Sequence, residues 1–454
     1  MTPLTLSSWV AVFVFVLTIA DHFLGVAAVG YVPMALLVLF VLLEVRRAPM
    51  AEIVAACALG AAGLTAAVAG GEPGRAIVTA IHRTQPFFLL FAAIAWLRVP
   101  ANASPSLRAA QELALGQPAG RRFPVLLTVA HALGSVLNLA GISLMAGVLQ
   151  GATSENLRDR FTRALTQGFT AASCWTPFFV AMSVGLSVVP GLAWSDVAPL
   201  GFAAALMLTA LSWIMDRLFY RRPDGVGAHP GPAAPAPRFR WRMAAVPVSL
   251  FVIVIGLIEA WAMPIPVALG LVAPVYAAVW TVSLTAGRAP PAAAVADLAR
   301  RVVGGLPGLR GEILLFLAAN LFGAGVVAAL PAELVGRAIE AAQLSPDSLI
   351  VLVLAAMLLL SLAGIHPLVP VVVIGDVLPP TLLGLPPALF CATLVTMWGL
   401  GAVVSPFSGT TLFMRRVGGL SAWRVSWFCN GPYGVAGTAL LAAVILVTRH
   451  LAIL

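Results

Sequence analysis

The sequence predicts an all-α polytopic membrane protein of about eleven transmembrane helices plus two re-entrant hairpins, in two inverted-topology repeats. Three observations predict it. Of 454 residues, 61% are hydrophobic and only 9% are charged, whereas a soluble domain carries roughly a quarter of its residues charged. The basic residues sit in clusters between apolar stretches. Short motifs of the first half recur, in the same order, in the second.

A spanning helix needs about 20 apolar residues. Lipid offers the backbone no partner, so helices are the economical solution, and the short alternating segments of a β-barrel are absent. Spans are predicted at 9–26, 29–45, 52–69, 80–97, 163–188, 197–216, 243–261, 266–285, 312–330, 385–413 and 432–449. The segment from Met1 to Trp9 lacks the positive charge of a secretory signal, so the first run reads as a retained helix.

The chain carries 26 basic residues against 17 acidic ones, and every basic residue is an arginine. Their placement in loops makes them a topology signal and not a nucleic-acid surface. Arg46 and Arg47, the six arginines from Arg217 to Arg242, Arg288 to Arg310, and Arg415 to Arg424 can all be cytoplasmic together. The N-terminus is then cytoplasmic and the C-terminus external, in a bacterial-type cytoplasmic (inner) membrane.

Two apolar stretches do not fit as single crossings. The first, 124–156, follows Arg98, Arg108, Arg121 and Arg122 and precedes Arg158, Arg160 and Arg163, so both ends belong on the cytoplasmic side. The second, 349–379, follows an acidic loop with Glu333, Arg337, Glu340 and Asp347, and the next arginine pair comes only after another full span. Each is expected to enter and return on one side. Residues 223–242, rich in Pro, Gly and Ala, form a cytoplasmic linker between a first repeat, 1–222, and a second, 243–454. Cys57, Cys174, Cys391 and Cys429 form no C-x-x-C pair and read as packing residues.

Leu139-Ala140-Gly141-Ile142 recurs as Leu362-Ala363-Gly364-Ile365, Thr176-Pro177-Phe178 as Ser405-Pro406-Phe407, and Leu89-Leu90-Phe91 as Leu314-Leu315-Phe316, all at shifts of 223 to 229 residues. By the arginine map the spans at 80–97 and 312–330 run in opposite directions, so the units are inverted. Inverted repeats with helices interrupted at matching positions are the pattern of secondary transporters with a midplane binding site. Pro177 and Pro406 each remove a backbone hydrogen bond inside a span. That frees carbonyls and a half-helix N-terminus for a ligand or cation. The hairpin tips repeat the idea with Gly141 and Gly364, flanked by Asn138, Ser143, Ser361 and His366, while Ser405, Ser408, Thr410 and Thr411 follow at the second break.

At these residues the chain resembles the ion transporter superfamily, most closely its divalent-anion/sodium symporter and arsenite-antiporter branches. The resemblance implies a dimerising scaffold domain and a transport domain that moves as an elevator. It also implies substrate and sodium held between each hairpin tip and the following unwound helix. Gly399-Leu400-Gly401 followed by Ser405-Pro406-Phe407-Ser408-Gly409-Thr410 matches the family's break well, and Gly168 through Ser173-Cys174-Trp175-Thr176-Pro177 matches it weakly. The dicarboxylate branch carries Ser-Asn-Thr at both tips, where this chain has Asn138-Leu139-Ala140-Gly141 and Ser361-Leu362-Ala363-Gly364.

The expected substrate-binding residues are Asn138, Gly141, Ser143, Thr176, Pro177, Ser361, Gly364, His366, Ser405, Pro406, Ser408 and Thr410. Asn138, Ser173, Gly401 and Asp376 are the expected coupling-ion residues. Ionisable groups at membrane depth are functional candidates by default. Among them His366 heads the list for an anionic substrate or a proton, and His131 reads as a hydrogen-bonded packing residue. Asp376 could bind a cation or cap a helix, and Asp21, Glu259 and Glu312 read as interfacial.

The expected function is secondary active transport of a small anionic solute, coupled to sodium or protons. No cofactor, catalytic residue or metal beyond a coupling ion is expected. No phosphate-binding loop with Gly-Lys-Ser/Thr is present and lysine is absent, which argues against nucleotide hydrolysis. A membrane-embedded enzyme for a lipid-linked substrate is the rival reading, without a visible catalytic dyad, and a passive channel ranks behind both.

Overall fold

The computed structural model describes residues 4–25, 27–107, 109, 112, 116–138, 141–142, 145, 147–150, 152, 154–221, 241–330 and 332–451. Ser143, Leu139, Ala140, Arg108 and nearly all of the linker 223–242 lie outside them. The described residues form helices and no strand. They are α1 (Leu6–Leu24), α2 (Ala27–Glu44), α3 (Met50–Ala69), α4 (Pro73–Ala103), α5 (Ala119–Leu137), α6 (Glu155–Ser173), α7 (Val180–Val188), α8 (Trp194–Met215) and α9 (Trp241–Ala260). There follow α10 (Ile265–Thr285), α11 (Pro291–Gly305), α12 (Arg310–Ala329), α13 (Ala332–Ala341), α14 (Pro346–Leu362), α15 (Leu368–Val377), α16 (Pro387–Val404), α17 (Gly409–Gly418) and α18 (Asn430–His450). Among the described residues, eight helical stretches are long and apolar enough to cross a membrane. This is an all-α polytopic membrane fold.

Of the remaining expected spans, 29–45 and 243–261 are the helices α2 and α9, and 163–188 is the broken pair α6 and α7. The expected span 385–413 is broken in the same way, into α16 and α17. A helix of about ten residues, the length of α15, rises about 15 Å, half the ~30 Å hydrocarbon core. That suits the return leg of a hairpin.

One expectation is corrected here. Arg158 and Arg160 are expected between the first hairpin and the span at 163–188, yet they lie inside α6, which begins where Ser154 accepts the Leu157 N–H at 3.2 Å. Helix is tolerated because the buried guanidinia are matched. Arg160, 6% exposed, forms two bonds to Asp216 at 2.7 and 2.8 Å. Arg424 holds Asp159 at 3.0 Å through two nitrogens. Arg163 donates to the Cys429 carbonyl at 3.2 Å and lies 4.0 Å over the Tyr220 ring. A buried charge persists only with such partners.

The chain divides into two compact units. Unit 1 comprises Met1–Ala103, Val252–Ala338 and Asp376–Leu378; unit 2 comprises Ser104–Phe251, Ile339–Gly375 and Pro379–Leu454. Each unit draws on both sequence halves. In unit 1, α3 lies so close to α12 that a Cβ on Gly63 would come 2.5 Å from the Phe322 Cα, which only glycine allows. Around that pair Phe87 and Phe91 pack on Phe316, with centroids at 5.2 and 5.3 Å. The fully buried Glu44 is satisfied by Ser7 at 2.6 Å, Arg47 at 2.8 Å and Arg310 at 3.2 Å. Glu312 and Glu259 are exposed and Asp21 is partly so.

Candidate functional site

Unit 2 contains both hairpin tips and both helix breaks. Its central helix, α6, is buried from Asp159 to its end at Ser173. At residue 174 the helix stops, because Pro177 has no N–H to offer and the chain is extended by Phe179, the N-cap of α7.

The first break is laced to the first hairpin. His131, Ser135 and Asn138 are spaced i, i+4, i+7 on one face of α5, and each meets one residue of the break. The Trp175 indole N–H donates to His131 Nε2 at 3.2 Å. The Thr176 hydroxyl, fully buried, donates to the Ser135 carbonyl. Asn138 Nδ2 donates to the Phe178 carbonyl at 3.0 Å. Asn138 caps α5 at a positive φ of 52°. Gly141 then lies against α5 itself, where a Cβ would stand 2.5 Å from the Leu133 carbonyl oxygen. Trp175 is walled by Phe202 and Phe251 at 5.2 and 5.5 Å, and its carbonyl accepts the Trp194 indole N–H at 2.8 Å.

The second break is built by close approach and not by lacing. A Cβ on Gly401 would lie 2.5 Å from the Ser361 Oγ and 3.2 Å from the Pro367 Cγ, so this glycine seats the second hairpin on α16. Gly364 turns the tip at φ +96°, and a Cβ there would meet the Phe407 ring at 2.7 Å. His366 points its Nδ1 at the Leu368 N–H, 3.2 Å away, and stands edge-on to Trp398 with centroids 5.7 Å apart. At the break itself, Ser408 caps α17 by accepting the Thr411 N–H at 3.1 Å and donates to the Ala402 carbonyl. The hydroxyls of Ser405 and Thr411 are buried and have no hydrogen-bond partner among the described residues. Burying a hydroxyl without a partner costs about 1–3 kcal/mol.

The two breaks approach through α16. A Cβ on Gly399 would stand 2.7 Å from the Ser173 Oγ, and that hydroxyl donates to the Thr170 carbonyl at 2.7 Å. The structure therefore gathers Asn138, Gly141, Ser173, Thr176 and Pro177 around one break. It gathers Ser361, Gly364, His366, Gly401, Ser405, Pro406, Ser408 and Thr410 around the other. Asp376 belongs to unit 1, where Arg83 of α4 pairs with its carboxylate.

Reading the sequence did not single out Trp175 or the carbonyls of Ser135 and Phe178. Carbonyls leave no mark in a sequence, but the i, i+4, i+7 spacing of His131, Ser135 and Asn138 was available as a signal. Also unforeseen is the buried network deeper in unit 2. There Asn430 Oδ1 accepts from Gln167 at 3.0 Å and from Thr166 at 3.1 Å, and Ser212 donates to Gln167 at 2.6 Å.

The fold has a counterpart among solved structures. No protein-family model matches the sequence, and no curated protein does. The chain is similar to the YdaH transporter of Alcanivorax borkumensis, whose crystal structure is described as having an unusual topology. The TM-score is 0.56 and the identity 16%, over 82% of this chain and 88% of that one. The two share a fold, that of a helical polytopic membrane protein.

Proposed function

We propose that the chain is a secondary active transporter of a small anionic solute, coupled to sodium or protons, with the solute held in unit 2. The observation that carries the reading is the pair of buried hydroxyls on Ser405 and Thr411 at the second break, which have no partner among the described residues. A native fold rarely leaves such groups unmatched, and a ligand that comes and goes is one reason to do so. Similarity in fold to a transporter supports the same reading.

In this reading the first-turn N–H groups of α7 and α17 face the anion, since a helix N-terminus carries partial positive charge. Hydroxyls of Ser405, Thr410 and Thr411 hold it, with His366 beside them. Oxygen atoms of Ser173, Asn138 and Gly401, beside the breaks, suit sodium, a cation that takes oxygen ligands. Asp376 is the alternative carrier of a cation or proton. Unit 2 carries the ligand in elevator-type alternating access. The protein acts as a homodimer in a bacterial-type cytoplasmic membrane, N-terminus inside and C-terminus outside.

Thermal melting of the purified full chain tests this against monocarboxylates, dicarboxylates, sulfonates and inorganic oxyanions, in sodium and in choline buffer. A ligand bound only by the native state raises apparent stability, by about 2.7 kcal/mol at a hundredfold excess over Kd. A shift with one anion class in the wild type, absent in Ser405→Ala, is the expected result. Anion-induced shifts that survive intact in Ser405→Ala and Thr411→Val would overturn the assignment.

A further inference from the structure

We propose that His131 is a proton-binding site whose occupancy releases the first hairpin from the first break. The inference rests on hydrogen-bond chemistry at one contact. Trp175 can only donate through its indole nitrogen, so His131 Nε2, 3.2 Å away, must be the acceptor and must carry no proton. The rings are nearly parallel, 17° apart, with centroids at 6.1 Å. The neutral ring then carries its proton on Nδ1, which is buried and has no hydrogen-bond partner among the described residues. A second proton has one place to go, Nε2, and there it collides with the indole N–H.

Protonation therefore requires the contact to open, and His131 is one of three side-by-side residues that hold α5 on the break. The consequences reach further than one bond, because Asn138 and Ser135 lie on the same face and hold Phe178 and Thr176. No charge nearby masks the effect. On α5 the charged residues are Arg121 and Arg122, more than two turns toward its start. On α6 they are Glu155, Arg158, Asp159, Arg160 and Arg163, at the end remote from Trp175. Cys174 is the titratable neighbour at the break. On α8, Asp196 accepts the Ala193 N–H at 2.7 Å, and Asp216, just past its end, holds Arg160. On α9, which brings Phe251 to Trp175, the acid is Glu259, two turns further on. None of these pairs with the imidazole.

The direction of the effect follows from linkage. The closed contact excludes the second proton, which an opened histidine can take up. The closed contact is thus most stable at high pH and loses stability as pH falls.

Hydrogen–deuterium exchange of the full chain in lipid nanodiscs reads this directly, independently of whether the chain transports anything. After correction for intrinsic rates, the amides of Phe178 and Phe179, which are held by Thr176, are expected to lose protection from pH 8 to pH 5. His131→Gln keeps an acceptor for the indole but does not titrate, so its protection should not change with pH. Trp175→Phe removes the donor, so protection should be low and flat across the range. A flat wild-type profile overturns the proposal, as does a pH slope in His131→Gln or Trp175→Phe equal to that of the wild type.

Discussion

The two helix breaks of unit 2 use one backbone device and finish it in opposite ways. At the first, between α6 and α7, the freed carbonyls and hydroxyls are matched by the hairpin beside them: Trp175 to His131, Thr176 to the Ser135 carbonyl, Asn138 to the Phe178 carbonyl. At the second, between α16 and α17, the hairpin touches through Gly364 and Gly401, and the hydroxyls of Ser405 and Thr411 stay unmatched. A polar group already bonded has little to gain from a ligand, whereas a buried orphan has its whole desolvation cost to recover. The difference teaches that matching sequence motifs need not share a role. The first break is braced, and the second is left for something else to complete.

Substitutions can break this comparison. The largest effect is expected from Gly401→Ala, which places a carbon 2.5 Å from the Ser361 hydroxyl at the seat of the second hairpin. Overpacking of this kind costs about 1–3 kcal/mol. Gly401→Ala should lower the melting temperature and abolish any anion-induced shift, as read by thermal melting with and without ligand. Gly399→Ala, against Ser173, is the matched control on the same helix and should destabilise without selecting the second hairpin.

Thr176→Val sharpens the contrast. It removes the hydroxyl that bonds the Ser135 carbonyl in the braced break, worth about 0.5–1.5 kcal/mol, so the unliganded protein should melt earlier. Ser405→Ala removes a hydroxyl that has no partner. Its unliganded melting should be unchanged or slightly higher, while its response to anions falls.

A smaller effect is expected at Asp376, the carboxylate that Arg83 holds in unit 1. Asp376→Asn should weaken that unit yet leave the anion-induced shift intact, measured in sodium and choline side by side. Loss of sodium dependence in Asp376→Asn would instead make it the coupling-ion residue.

Much of this architecture was legible in the sequence. Apolar runs and arginine clusters gave the spans, because lipid imposes length and composition on every crossing helix. Pro177 and Pro406 marked both breaks, since an imino acid cannot donate wherever it stands. What was not legible is how each break is completed. Thr176 and Ser405 occupy corresponding places in the repeat, and nothing in their residue types tells a bonded hydroxyl from an orphan. The bonded one depends on a backbone carbonyl, that of Ser135, 41 residues away in sequence. Arg158 and Arg160 misled for a related reason. Arginine at a helix end reads as cytoplasmic loop until Asp216, 56 residues on, supplies the partner that lets Arg160 sit in the core.

The central claim is that the two breaks differ in what they leave unsatisfied. It is tested most directly by melting wild type, Thr176→Val and Ser405→Ala in parallel, without ligand and across the anion panel. The account predicts that Thr176→Val melts early yet still responds to the anion that shifts the wild type. Ser405→Ala should melt like the wild type and respond weakly or not at all. The reverse pattern, an early-melting Ser405→Ala that keeps its full anion response, would contradict the account.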